Sequence, residues 1–107
     1  MIEMTDLMAL RMGLDDVKIA SVHPGWCQTP GLKPLFEQHS SYEKLKFRPS
    51  IEGAYGIVYS MIMPNLKSGE FYLDGEIQKK HRSLAGTRVD PSAKTELWEF
   101  CSSFLET

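Results

Sequence analysis

The residue types best suited to chemistry lie in one short segment of this chain, HPGWCQT, from His23 to Thr29. It combines an imidazole, a thiol and a hydroxyl with Pro24-Gly25, a dipeptide that favours a turn. Glycine has no Cβ, so a flat ligand can lie close to the backbone at Gly25. The pattern fits a ligand-binding turn, and from spacing alone an ordinary turn at the end of a strand remains the alternative.

Other combinations of reactive side chains have weaker spacing. His23 and Cys27 are four residues apart, but the turn between them rules out helical spacing, and a buried thiol is the preferred interpretation. His23, Cys27, His39 and Cys101 lack the close paired spacing of zinc ligands, so we expect no metal site.

The elements that must position the turn follow from periodicity. Val17 to Val22 is a β-branched, small-residue run, which predicts a short strand buried on both faces. In open parallel α/β sheets, ligands bind just beyond the carboxyl ends of the strands. The turn at Pro24-Gly25 occupies that position.

The rest of the chain reads as helices and one further strand. Glu70 to Leu73 is the second predicted strand, ended by Asp74-Gly75. Helical spacing or helix-start residues predict helices over 4–12, over 50–62 and from Asp90 to Leu105, with Gly13 and Pro64 as stops. Gly53 and Gly56 lower the propensity of the middle helix by roughly 1 kcal/mol each, which favours a role in close packing.

The segment HPGWCQT, with a threonine four residues after the glycine, resembles the segment that follows the catalytic Tyr-x-x-x-Lys in short-chain dehydrogenases/reductases. The order of later segments is also similar: EGAYGIVYSMIMP resembles the last large helix of that family, SGEFYLDGE its final strand and KTELWEFCSSFL its closing helix. The nearest subgroup is the dehydrogenase/reductase member-twelve type. No single motif is specific, but their order extends over nearly the whole chain.

The resemblance implies a set of site residues. Pro24 and Gly25 would shape the turn, Trp26 and Cys27 would present backbone to the nicotinamide of NAD or NADP, and Thr29 would present its hydroxyl. Residues 30–49 would form the lid over a small carbonyl or alcohol substrate. The apolar lid residues are Leu32, Leu35 and Phe36.

Tyr42 and Lys46 also have the Tyr-x-x-x-Lys spacing. In the family, however, that pair precedes the strand and the Pro-Gly turn, whereas here it follows both. We interpret it as a chance match and assign no catalytic residue to this chain.

Several parts of a dinucleotide enzyme are absent from the sequence. No Gly-rich turn follows a strand, and no Ser-Tyr-Lys set precedes the Pro-Gly turn. Two predicted strands are also too few for a stable parallel sheet. The fold class we predict is therefore α/β: residues 1–107 form the C-terminal portion of a doubly wound, Rossmann-like sheet, with two strands and three to four helices.

Composition narrows the function further. A net charge of −2 with both signs interspersed disfavours nucleic acid as a partner, and no apolar run is long enough to span a membrane. The N-terminus lacks the features of a secretory leader, and two cysteines fit reduced thiols, so we expect a cytoplasmic chain. Three functions stay open: part of an NAD(P)-dependent oxidoreductase that is inactive alone, a homo- or hetero-dimerisation module, or an inactive truncated product.

Overall fold

The computed structural model describes residues 1–13 and 15–105 of the chain, so residues 14, 106 and 107 of the predicted 1–107 unit lie outside this description. The described part is a mixed α/β structure, as predicted. Its α-helices are Ile2–Met12 (α1), Lys33–Gln38 (α2), Ser50–Ile62 (α3) and Pro91–Ser103 (α4). Its strands are Ser21–His23 (β1), Cys27–Gln28 (β2), Arg48–Pro49 (β3), Phe71–Leu73 (β4) and Glu76–Ile77 (β5).

The strands form two small sheets. The first is a mixed three-stranded sheet in the order β1-β4-β5, and β4 and β5 are joined by the turn at Asp74-Gly75. Both turn residues have positive φ, 52° and 82°. The second sheet is the parallel pair of β2 and β3, in which Cys27 lies opposite Arg48 and Gln28 opposite Pro49.

Two details of the predicted strands were wrong. The described residues contain three more strands than the two predicted, and each of the three is only two residues long, too short to show any periodicity. The strand predicted over Val17 to Val22 is assigned only over Ser21–His23 and is not buried on both faces, since Val17 is 54% exposed. A run of β-branched residues indicates extended backbone, but burial requires covering elements that the run itself does not specify.

The helices agree more closely with the sequence. Gly13, in the left-handed region (φ 54°), caps the end of α1. The carboxylate of Asp90 accepts a hydrogen bond from the Ala93 backbone N–H at 2.9 Å, which starts α4 as the Asp-Pro pair predicts. In the predicted lid, two short 3-10 turns, Pro30–Leu32 and Ser40–Lys44, flank α2.

The chain divides into two compact units. The first comprises the described residues of Met1–Ser21, Asn65–Phe71 and Ile77–Thr107, and the second comprises Val22–Pro64 and Tyr72–Glu76. Leu7 in the first unit and Tyr72 in the second are the large apolar side chains buried in the described part of the chain. Each unit therefore has a small core.

In the first unit, α1 packs on α4. Arg11 of α1 lies over the ring of Trp98, 5.0 Å from its centroid, a cation–π contact. Charged side chains also join α1 to the rest of the unit. Lys94 contacts Glu3 at 2.8 Å and Asp6 at 3.2 Å, Lys80 contacts Asp6 at 2.8 Å, and His81 pairs with Glu3.

This ionic cluster shifts the pKa values of Glu3, Asp6 and Lys94. Burial alone raises the pKa of Glu3, but the contacts with Lys94 and His81 outweigh it and hold that pKa below its usual range. The hydrogen bond from Lys80 is the main reason why the pKa of Asp6 is lowered, with Lys94 contributing further. The carboxylates of Glu3 and Asp6 in turn raise the pKa of Lys94.

The cluster predicts a loss of stability in acid. Because the pKa values of Glu3 and Asp6 are lower in the folded chain than their unfolded values of about 4, their contribution is fully present above that range. It disappears as the pH falls through the lowered folded values. Asp6→Asn should reduce the free energy of unfolding at neutral pH by about 1 kcal/mol and flatten its dependence on pH below about 4. Urea unfolding across this pH range measures both, with exposed Asp15→Asn as the control; equal pH profiles for the two variants would contradict the cluster's role.

Candidate functional site

The loop after β1 is closed by its own hydrogen bonds. Nδ1 of His23 accepts a hydrogen bond from the Gly25 backbone N–H at 2.8 Å, and the Cys27 thiol donates to the Pro24 carbonyl at 3.2 Å. Gly25 has φ 79°, a conformation that disfavours a side chain. The Pro-Gly turn is thus a defined structure whose donors and acceptors are partly used within the loop.

The loop also leads into the base of the lid segment. Strand β2, which precedes the lid, pairs with β3, which forms the last two residues of the lid, and the Arg48 backbone N–H donates to the Trp26 carbonyl at 2.8 Å. Residues 30–47 therefore leave and return at one place, beside Trp26. This connection positions the lid relative to the Pro-Gly turn within the second unit.

Arg48 is the main electrostatic contact of this unit. Its Nη1 lies 2.9 and 2.8 Å from the two carboxylate oxygens of Asp74, and its Nε lies 3.4 Å from Oε2 of Glu52. The hydrogen bond with Asp74 is the main reason why the pKa of Arg48 is raised. The side chain also fills the space beside Gly25, because a Cβ on that glycine would lie 2.8 Å from Cδ of Arg48. A ligand that approaches Gly25 from this side has to displace Arg48.

Helix α3 presents its small residues to the loop and to the β4–β5 turn. Gly53, Gly56 and Ser60 are its buried residues. A Cβ on Gly53 would overlap Sγ of Cys27 and lie 2.9 Å from the Pro24 carbonyl oxygen, and one on Gly56 would lie 2.8 Å from Oδ1 of Asp74. The two glycines therefore allow close packing, as predicted: Gly53 lies against the loop and Gly56 against the β4–β5 turn.

Two open cavities lie along the lid. The larger, of about 630 Å³, is lined by Gln28 and by the lid residues Phe36, Tyr42, Leu45, Lys46 and Phe47. The smaller, of about 330 Å³, is bordered by Gln28, Thr29 and Phe36, among others. Phe47 lies at the centre of an aromatic group, 6.0 Å from the ring of Trp26 and 5.4 Å from that of Phe36, measured between centroids.

The structure brings together only some of the residues predicted for the site. Thr29 and the lid residue Phe36 border the same cavity, while Trp26 (68% exposed) joins them through the aromatic group. Pro24, Gly25 and Cys27 are half-buried against α3 and Arg48. Of the other lid residues, Leu32 is half-buried and Leu35 is 38% exposed.

Sequence reasoning missed two contributors, Gln28 and Arg48. Gln28 lines both cavities, and nothing in its sequence context distinguishes it. Arg48 had a detectable pattern, since Glu52 follows it by four residues and such a pair is a common helix-associated contact. Its partner Asp74 lies 26 residues away in the chain, a separation that local patterns do not reveal.

Tyr42 and Lys46 are not on one α-helical face. Tyr42 lies in the 3-10 turn Ser40–Lys44, which ends in extended backbone at Leu45, before Lys46. Both nevertheless line the larger lid cavity, where they add a hydroxyl and an ammonium group to its aromatic wall.

Comparisons with protein-family models, with curated proteins and with solved structures found no match. Among the described residues there is no helix with the length and hydropathy needed to span a bilayer. Within the same residues, no group of three or more His, Cys, Asp or Glu side chains is placed to hold a metal ion.

Because α3 lies so close to the loop, adding even one methyl group at Gly53 should destabilise the fold. Gly53→Ala gains about 1 kcal/mol of helix propensity but forces Cys27 and Pro24 away, so we expect a net loss of roughly 1–2 kcal/mol in the free energy of unfolding. Gly31→Ala is the control, since the nearest atom to a Cβ there is 3.9 Å away. Urea denaturation of both variants measures the difference, and an unchanged or stabilised Gly53→Ala would contradict this packing.

Proposed function

We propose that this chain supplies the nicotinamide-side loop and the substrate lid of an NAD(P)-dependent oxidoreductase of the short-chain dehydrogenase/reductase type. Its substrate would be a small carbonyl or alcohol compound, and the chain alone would be inactive. The cofactor supplies hydride transfer when bound. The residues that move the accompanying proton belong to the complementary part of the fold, because no Ser-Tyr-Lys set stands before the Pro-Gly turn.

The observation that carries the proposal is the position of Thr29. Its side chain is exposed, borders the smaller lid cavity and makes no hydrogen bond within the described part of the chain. The hydroxyl is therefore available to a ligand that enters between the loop and the lid. The ribose hydroxyl oxygens and the carboxamide carbonyl oxygen of a nicotinamide riboside can accept a hydrogen bond from this hydroxyl.

The surroundings of Thr29 fit a flat, partly polar ligand. Trp26 offers an exposed indole on the loop itself, and Phe36 and Phe47 supply apolar rings close to it. Gln28 adds an amide donor and acceptor to both cavities. Ligand sites are commonly apolar clefts with a few placed polar groups. The smaller lid cavity, which Thr29 borders, has a mostly apolar lining of this kind.

The exposed face of α3 is what we expect if this chain is only part of a larger fold. Its outer face carries Ile51, Tyr55, Val58 and Ile62, which are 74%, 69%, 55% and 74% exposed. Soluble proteins seldom leave so many large apolar side chains together in water. We therefore expect another protein surface to pack on this face of α3. In the proposed enzyme, the complementary part of the fold would cover it.

The two tryptophans allow a direct test of cofactor binding. The chain is expressed together with the Gly-rich and Tyr-x-x-x-Lys portion of a short-chain dehydrogenase, with the tryptophans of that portion replaced by phenylalanine. It is then titrated with NADH or NADPH. We expect energy transfer from tryptophan to the reduced nicotinamide, lost for the most part in Trp26→Phe and retained in Trp98→Phe, because Trp26 belongs to the Pro-Gly loop.

Thr29→Val should weaken binding by about tenfold, the usual order for one hydrogen bond in a polar site, whereas Thr95→Val should not change it. Thr95 is a matched control because its hydroxyl donates to Pro91 within α4. Absence of cofactor binding by the assembled protein would count against the proposal.

A second candidate function follows from the same helix face. A second copy of the chain could cover Ile51, Tyr55, Val58 and Ile62, which would make the chain a dimerisation module. The observation in its favour is the regular spacing of these residues along one side of α3, as in helices that bind each other side by side.

Sedimentation distinguishes the two candidates. If α3 mediates self-association, the chain should sediment as a dimer, and Val58→Glu should shift it to monomer by weakening association more than about tenfold. Leu10→Glu on α1, where Leu10 is 74% exposed, is the control and should leave the dimer intact. A folded monomer at all concentrations excludes the dimerisation module.

A further inference from the structure

We propose that the segment from Gln78 to Arg88 is a binding site for a phosphate group carried by a soluble small molecule. This part of the first unit surrounds a cavity of about 710 Å³. The proposal does not depend on the Pro-Gly loop, the lid or the identity of the chain as an oxidoreductase.

Two residues of the segment hold it to α1. Lys80 contacts Asp6 at 2.8 Å and His81 pairs with Glu3, so adjacent side chains are both engaged by the same helix. Nδ1 of His81 also lies 3.2 Å from the Thr87 hydroxyl, which links the start of the segment to its end. The walls of the cavity are therefore held together by side-chain contacts.

The segment is further shaped by its backbone. The Ala85 N–H donates to the Arg82 carbonyl at 3.1 Å and closes a turn, and Gly86 follows with φ 61°. This turn places Arg82 and Arg88 on the wall of one cavity although they are six residues apart in the chain.

The charges that remain after these contacts are mostly positive. Lys79, Arg82 and Arg88 line the cavity and have no acidic partner within the described part of the chain. Glu70 is the one carboxylate among the described residues of the lining, while Glu3 and Asp6 are already paired with other cations. The result is a local excess of positive charge in a chain whose net charge is −2.

The donor set suits a phosphate group better than a nucleobase. Two guanidinium groups and an ammonium group suit several oxygens on one centre, and the hydroxyl of Ser83 can donate as well. Among the described residues, the lining has no Phe, Tyr or Trp on which a nucleobase could stack. The ligand class is therefore a phosphate monoester or a diphosphate.

The test is a titration of the full chain with inorganic pyrophosphate at low ionic strength, followed by isothermal calorimetry and amide NMR. We expect saturable binding with shifts concentrated in residues 78–88. Arg82→Gln/Arg88→Gln should raise the dissociation constant by tenfold or more, because two charge-assisted contacts are lost. Lys18→Gln/Lys44→Gln removes the same charge from exposed positions outside the cavity and should change it by less than about twofold.

A charge change of opposite sign provides a second criterion. Glu70→Gln removes the carboxylate from the cavity lining and should tighten pyrophosphate binding several-fold, an effect that a damaged fold cannot produce. Added salt should weaken binding in the native chain more than in the arginine variant.

A vesicle assay separates soluble from membrane-borne phosphate. Phosphatidylcholine vesicles with and without phosphatidic acid are compared with free pyrophosphate for the same variants. Binding to free pyrophosphate that depends on Arg82 and Arg88 supports the proposal. Binding to the acidic vesicles alone, equal losses in both charge-neutralised variants, or shifts spread over all cationic residues would overturn it.

Discussion

The close approach of α3 to the loop after β1 is the constraint on which the second unit depends. At Gly53 and Gly56 the helix has no side chain, so the Pro24 carbonyl, the Cys27 thiol and the Asp74 carboxylate can lie against its backbone. Arg48 then connects Asp74 to Glu52 and passes beside Gly25. The loop after β1 has little apolar core of its own. It is held in place by close packing against Gly53 and by the guanidinium of Arg48, which contacts both Asp74 and Glu52.

The first unit is organised by charge instead. Its buried apolar contribution is small, with Leu7 the large apolar side chain enclosed there among the described residues. Glu3 and Asp6 on α1 gather Lys80, His81 and Lys94 from two other segments. These pairs are partly shielded from water, which makes them more effective than fully exposed ion pairs. Among the described residues, Lys79, Arg82 and Arg88 then have no acidic partner, and all three line the cavity of this unit.

Both units leave large apolar side chains exposed to water, and each proposed function gives these side chains a binding partner. The outer face of α3 has large apolar side chains where a self-contained domain would have polar ones. A partner surface, from a complementary part of the fold or from a second copy, would lower the free energy of that face by covering it. The oxidoreductase and dimerisation proposals differ in what supplies this cover.

The sequence alone determined the three longer helices, α1, α3 and α4, the turn at Pro24-Gly25 and the packing role of Gly53 and Gly56, because these depend on side-chain spacing and on the absence of a Cβ. It also placed the start of α4 at Asp90, whose cap is a local hydrogen bond. Only the tertiary structure decided the two-residue strands, the exposure of Val17, and the partners of Arg48 and of the 78–88 segment. Those features depend on contacts between residues distant in the chain, such as Arg48 with Asp74 and Lys80 with Asp6, and no local pattern encodes which distant group will be near.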